Sequence, residues 1–130
     1  PSPAMYFGPG GDVTAFGTPG GDVQVQAMLQ VLLNLCVFDM SPQRAIEAPR
    51  FATQSFPDSF WPHRYFPGRV TLEGRLAEST AEALRARGHE VQRWADWEWR
   101  AGGVCLARID PDGIRWGAAD PRRDSWAMAW

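Results

Sequence analysis

The period of the apolar positions changes several times along this chain, and each change marks an element. Residues 4–7 and 13–16 are short apolar or aromatic runs separated by Gly8-Pro9-Gly10-Gly11-Asp12, which predicts a β-hairpin with a glycine-rich turn. From 23 to 38 the period becomes helical. Val25, Met28, Leu29, Leu32, Leu35 and Cys36 cover most of a helical circumference, and Gln26, Gln30 and Asn34, four apart, leave one narrow uncharged stripe. The expectation is a core helix buried on most sides. Ser41-Pro42, a cap followed by proline at the first helical position, predicts a short helix over 42–48 that Pro49 ends.

Residues 50–68 are rich in proline and aromatics without a period, so they read as an ordered surface loop, either a lid or a contact with further chain. A short strand is expected over 70–72. Residues 75–87 form a helix with Leu76, Thr80, Ala83 and Leu84 on one face, glutamates early, arginines late and Gly88 as its stop. The strongest hairpin signal is 103–109 and 114–118 around Asp110-Pro111-Asp112-Gly113. Hairpins and helices in this mixture predict an α+β fold.

With 130 residues, 45% of them hydrophobic, the chain can build one domain with a core. A net charge of −2 gives no reason to expect nucleic acid or an anionic membrane as partner. All 13 basic residues are arginines spread along the chain, which fits solvated surface and ion pairs rather than a polyanion track. No apolar run is long enough for a membrane span and no signal-peptide pattern opens the chain. Pro1-Ser2-Pro3 running at once into an extended segment is expected to be the interior of a longer protein.

Cys36 and Cys105 are flanked by apolar residues and are expected as buried small hydrophobes. His63 and His89 do not stand at ligand spacing from either cysteine, so neither metal nor another cofactor is expected. Six of the seven tryptophans lie from Trp94 onward, an aromatic group expected in the core or at a subunit interface.

The chemistry concentrates in Gly17-Thr18-Pro19-Gly20-Gly21-Asp22. A strand runs into two glycines and a helix starts directly after, with Asp22 placed to cap it. Without a Cβ, Gly20 and Gly21 can turn their N–H groups outward at a helix N-terminus. Such donors stabilise a bound anion or the oxyanion that forms when an acyl group is attacked. Arg50 and Arg122 each follow a proline, in Ala48-Pro49-Arg50-Phe51 and Asp120-Pro121-Arg122. They are expected to hold loop backbone and carboxylates, with Asp120 the nearest acidic partner.

Taken together, Ser2-Pro3, Gly17-Thr18-Pro19-Gly20-Gly21, Leu29-Gln30-Val31 with Asn34, Ser41-Pro42 with Ala45, Ala48-Pro49-Arg50-Phe51, Leu84 with Gly88-His89 and Gly117-Ala118-Ala119-Asp120-Pro121-Arg122 resemble, in order, the C-terminal part of the small subunit of γ-glutamyltransferases. These belong to the N-terminal-nucleophile hydrolase superfamily. The resemblance implies part of a four-layer αββα sandwich, with residues 1–130 a single-domain fragment of that subunit. It further implies a proenzyme that cuts itself to free a threonine nucleophile, and γ-glutamyl transfer from glutathione-like amides to water or an amino acid. The oxyanion glycines carry over onto Gly20 and Gly21. The threonine, the residues gripping the glutamate and a serine pair of the substrate pocket would precede Pro1. The partners implied are the remainder of the small subunit, the large subunit and a small-molecule amide. The family usually has serine where this chain has Asp22. A cephalosporin acylase-like or oxamate amidohydrolase-like enzyme, or a non-catalytic relative, shares the same fold. Pro1 as a tautomerase-type general base is a further, separate reading.

Overall fold

Strand β1 (Ser2–Phe7) turns back through its glycine-rich loop into β2 (Val13–Thr18), the hairpin read from the sequence. The computed structural model describes residues 2–128. The proposed base Pro1 and the tryptophan Trp130 lie outside the described residues. A second hairpin, β6 (Cys105–Ile109) and β7 (Arg115–Ala119), joins the first in a four-stranded antiparallel sheet of order β1-β2-β6-β7. Asp110 shapes its turn by accepting N–H bonds from Asp112 and Ile114.

Helix α1 (Val23–Cys36) and the short α2 (Pro42–Glu47) cover one face of this sheet. Ala27, Val31 and Leu35 of α1 meet Phe16, Leu106 and Ala118 of the sheet and Ala45 and Ile46 of α2 in the main core. The three-stranded sheet has order β3-β4-β5, made of β3 (Phe51–Thr53), β4 (Arg69–Leu72) and β5 (Glu90–Arg93). β4 and β5 are parallel, joined through α3 (Glu78–Ala86), whose Ala81 and Leu84 pack on Val70, Leu72 and Val91. The architecture is α+β, as expected.

Four expectations need correction. First, α1 is not buried on most sides. Ala27, Val31 and Leu35 face the core, but Val25, Leu29 and Leu33 lie half a turn away and are exposed. Its polar stripe has a role the sequence did not give: Gln26 accepts from Thr53 N–H and donates to Thr53 O, and Gln30 does the same with Phe51. The two side chains imitate a strand and satisfy the free edge of β3. Asn34 donates to Ala45 O and docks α2.

Second, both cysteines are exposed. Cys36 ends α1, and Cys105 falls in the register that points away from the helices. Met5, Ala15, Ala107 and Gly117 form the adjacent row on that face. Open hollows of about 830 and 510 Å³ lie there. Both thiols of the 130-residue chain are therefore expected to react with a thiol reagent without denaturant. A thiol that reacts only after unfolding would contradict its placement.

Third, of the two places expected for the tryptophans, core or subunit interface, the core is ruled out for four of them: Trp97, Trp99, Trp116 and Trp126 are exposed, and Trp97 lies beneath the Arg75 guanidinium at 3.5 Å. Fourth, α3 begins three residues later than expected because Arg75 is drawn to the Glu73 carboxylate and Glu47 O. Ala81, not Thr80 or Ala83, then faces its sheet. β3 and β5 were missed altogether, being too short to show alternation.

Candidate functional site: the glycine turn at the start of α1

β2 ends at Thr18, and the chain then turns through Pro19-Gly20-Gly21 into α1. Gly20 has φ +137 and Gly21 φ +57. The first value is open essentially to glycine alone, and the second strains any residue with a Cβ. The carbonyls of both glycines accept the first N–H groups of α1, from Val23 at 3.2 Å and Gln24 at 3.1 Å. Among the described residues the N–H groups of Gly20 and Gly21 donate no hydrogen bond, and Gly21 is exposed. Two free donors thus stand beside the positive end of a fourteen-residue helix. The large hollows lie on the sheet face rather than at this turn.

Asp22 occupies the N-cap position but makes no capping bond. Its carboxylate instead accepts from Ser59, from N–H at 2.8 Å and from the hydroxyl. Those Ser59 bonds, hydroxyl first and amide second, hold the Asp22 carboxyl below its usual range. The clasp brings the loop of residues 54–68 over the turn, so that a Cβ on Gly21 would lie 3.2 Å from the Phe60 ring. The proline-aromatic segment is therefore latched to the start of α1. His63, within it, meets Asp58 O, and His89 meets Gly68 O. Both serve loop structure. Nothing local in the sequence marks Ser59 as the partner of Asp22, because 37 residues separate them.

On the other side of the turn a buried ionic group fixes the backbone. Arg50 pairs with Asp120 at 2.7 Å, and Arg122 pairs with Asp120 at 3.0 Å and with Glu73 at 2.6 Å. The two arginines also donate to carbonyls of Ile46, Ala48 and Ala101. Asp120 accepts from Val104 N–H, and Glu73 from Arg50 and Glu98 N–H. Arg50 and Arg122 are thus the structural ion-pair residues expected from the sequence, with Asp120 shared between them. Glu73, fully buried, was not anticipated.

Burial pushes the Glu73 carboxyl up, but the bonds from Arg122 and Arg50 N–H outweigh it and the net displacement is downward. A carboxyl lowered in the fold contributes stability above its unfolded value of 4.5, lost as pH falls through the lower folded value. Acidification below about pH 4.5 should therefore weaken the fold progressively. Urea midpoints measured across that range should fall less steeply in Glu73→Gln, and an unchanged slope would refute the assignment. Among the described residues no group of three His, Cys, Asp or Glu could hold a metal ion.

This combination, an α+β chain whose antiparallel sheet delivers free glycine amides to a helix start, has the architecture of the N-terminal-nucleophile hydrolases. A γ-glutamyltranspeptidase from Pseudomonas nitroreducens superposes with a TM-score of 0.78 at 24% identity, over 99% of this chain and 61% of that one, which speaks for the fold. The family model for gamma-glutamyltranspeptidase matches residues 2–130. The glutathione hydrolase-like YwrD proenzyme of Bacillus subtilis (strain 168) is 32% identical over 126 residues, 97% of this chain and 23% of its own. The acylase ACY 1 proenzyme of Pseudomonas sp. (strain V22) is 36% identical over 98% of this chain and 20% of its own. The chain belongs to the gamma-glutamyltranspeptidase family. It spans about a fifth to a quarter of the length of these curated relatives.

Proposed function

We propose that residues 1–130 are the C-terminal part of the small subunit of a self-processing amidohydrolase or acyltransferase, and that Gly20 and Gly21 donate its oxyanion hole. The reaction is transfer of a γ-glutamyl group from a glutathione-like amide to water or an amino acid. A threonine freed by self-cleavage, on chain outside these residues, attacks the carbonyl carbon. The carbonyl oxygen gains negative charge and is met by donors that need no reorganisation. The observation that carries the reading is the pair of unengaged N–H groups on two glycines, one with a backbone angle open to glycine alone and the other with one that strains any other residue. The remainder of the small subunit and the large subunit of the same proenzyme are the partners, and the bare sheet face around Met5, Ala15 and Ala107 is where further chain would pack.

A second reading, a related acylase or oxamate-type amidohydrolase, draws support from relatives bearing those names. A carboxylate at the edge of the turn disfavours an anionic group in the substrate close by, which speaks for an acylase with a neutral acyl group and against oxamate, whose carboxylate adjoins the amide carbonyl. The deciding experiment expresses the complete proenzyme and follows self-cleavage by mass spectrometry, then turnover of glutathione, a γ-glutamyl anilide, a cephalosporin amide and oxamate. Cleavage before a threonine and preference for the γ-glutamyl amides are expected, with the 130-residue chain alone inactive. Preference for another amide selects the second reading. Activity of the 130 residues by themselves would overturn the placement of the nucleophile.

A further inference from the structure

Thr18 lies between the ionic group and the glycine turn, and its hydroxyl has two partners. It accepts from Gly103 N–H at 2.8 Å and donates to Pro19 O at 2.7 Å. The residue is 1% exposed, so water does not compete for either bond. Because the incoming N–H occupies a lone pair of the hydroxyl, the hydroxyl hydrogen is left to point at Pro19 O. That carbonyl belongs to the same peptide unit as the N–H of Gly20. A trans peptide is planar, and its C=O and N–H point in opposite directions. Holding the carbonyl against Thr18 therefore turns the Gly20 N–H away from the protein body.

The contacts behind Thr18 are equally fixed. Gly102, at φ +90, brings the loop so close that a Cβ there would lie 3.0 Å from the Thr18 hydroxyl and 3.2 Å from Ala27. Arg50 grips this loop at Ala101 O, and Asp120 grips it at Val104 N–H. A continuous series of short contacts thus runs from the buried ions through Gly103 and Thr18 to the Pro19–Gly20 peptide.

We propose that Thr18 is a positioning residue: through Pro19 O it sets the direction of the Gly20 N–H and so keeps the oxyanion hole formed before substrate arrives. The proposal rests on the reading of Gly20 and Gly21 given above. A valine has the shape of threonine but offers neither the donor to Pro19 O nor the acceptor for Gly103 N–H, whereas serine offers both.

The test uses the complete, self-processed protein with Thr18→Val, Thr18→Ser and Gly20→Ala, each followed by steady-state kinetics on its best amide and by a crystal structure. Thr18→Val should lower kcat by about a hundredfold while KM stays nearly constant, because a donor misplaced by about 1 Å is lost from the transition state and not from ground-state binding. Its Pro19–Gly20 peptide should be rotated in the crystal. Thr18→Ser should restore both rate and peptide orientation. If Thr18→Val does not mature, Thr18→Ala, which adds no bulk, takes its place and the same split is expected. Loss of kcat in Gly20→Ala with full kcat in the hydroxyl-free variants would overturn the role of Thr18 alone. Full kcat in Gly20→Ala would instead overturn the oxyanion reading on which it rests. A rate loss confined to KM, or one that serine does not restore, also counts against Thr18.

Discussion

Arg122→Ala in the complete protein is expected to cost about 3–5 kcal/mol, the usual consequence of removing one partner from a buried ion pair. Arg122 and Glu73 have fully buried side chains, and the arginine meets two carboxylates and the carbonyls of Ile46 and Ala48. Alanine leaves the Glu73 and Asp120 charges with less compensation than they require and frees the Ile46 and Ala48 carbonyls that tie the end of α2 to the segment after β7. Such a loss is a large fraction of the stability of a typical domain. Self-cleavage and a urea melt provide the measurement: impaired maturation or a large drop in midpoint is expected. A variant that matures and melts like the parent but fails only in substrate binding would show that Arg122 acts on substrate and is not structural.

The second large effect concerns the turn itself. Gly20→Ala is expected to lower kcat by about a hundredfold or more, the scale on which loss of an oxyanion donor acts. Space is not the obstacle, because the added Cβ would stand 3.6 Å from Gly102 Cα, an ordinary contact. The obstacle is φ +137, which alanine does not adopt, so the peptides on either side must rotate and the donors move. Gly21→Ala should be milder, since φ +57 is accessible to alanine at a cost of about 1–2 kcal/mol and the Phe60 ring need shift only slightly. Steady-state kinetics on the matured variants distinguishes the two. Equal kcat in Gly20→Ala and the parent would remove the turn from the reaction.

What the sequence determined by itself is local. The hairpins follow from alternation and turn residues held within a few positions of each other, as with Asp110 bonding Asp112 and Ile114. The helix after Gly20-Gly21 follows from its period, and the glycine pair shows that a backbone free of Cβ is needed there. Arg50, Arg122 and Asp120 were legible as ion-pair residues because two of them are neighbours and prolines set their approach.

Tertiary structure decided whatever joins distant segments. Glu73 enters the buried ionic group from 49 residues before Arg122, Ser59 reaches Asp22 across 37, and Gly103 bonds Thr18 across 85. No period or spacing encodes such pairings, since they arise only when separate elements pack. The same cause explains the errors: an apolar residue such as Val25 or Cys105 announces that it can be buried, but which face meets a partner is fixed by the register of the sheet and the seat of α1. The glutamine stripe of α1 shows the converse. Its spacing was visible in the sequence, and only the arrival of β3 alongside it gave the spacing a purpose.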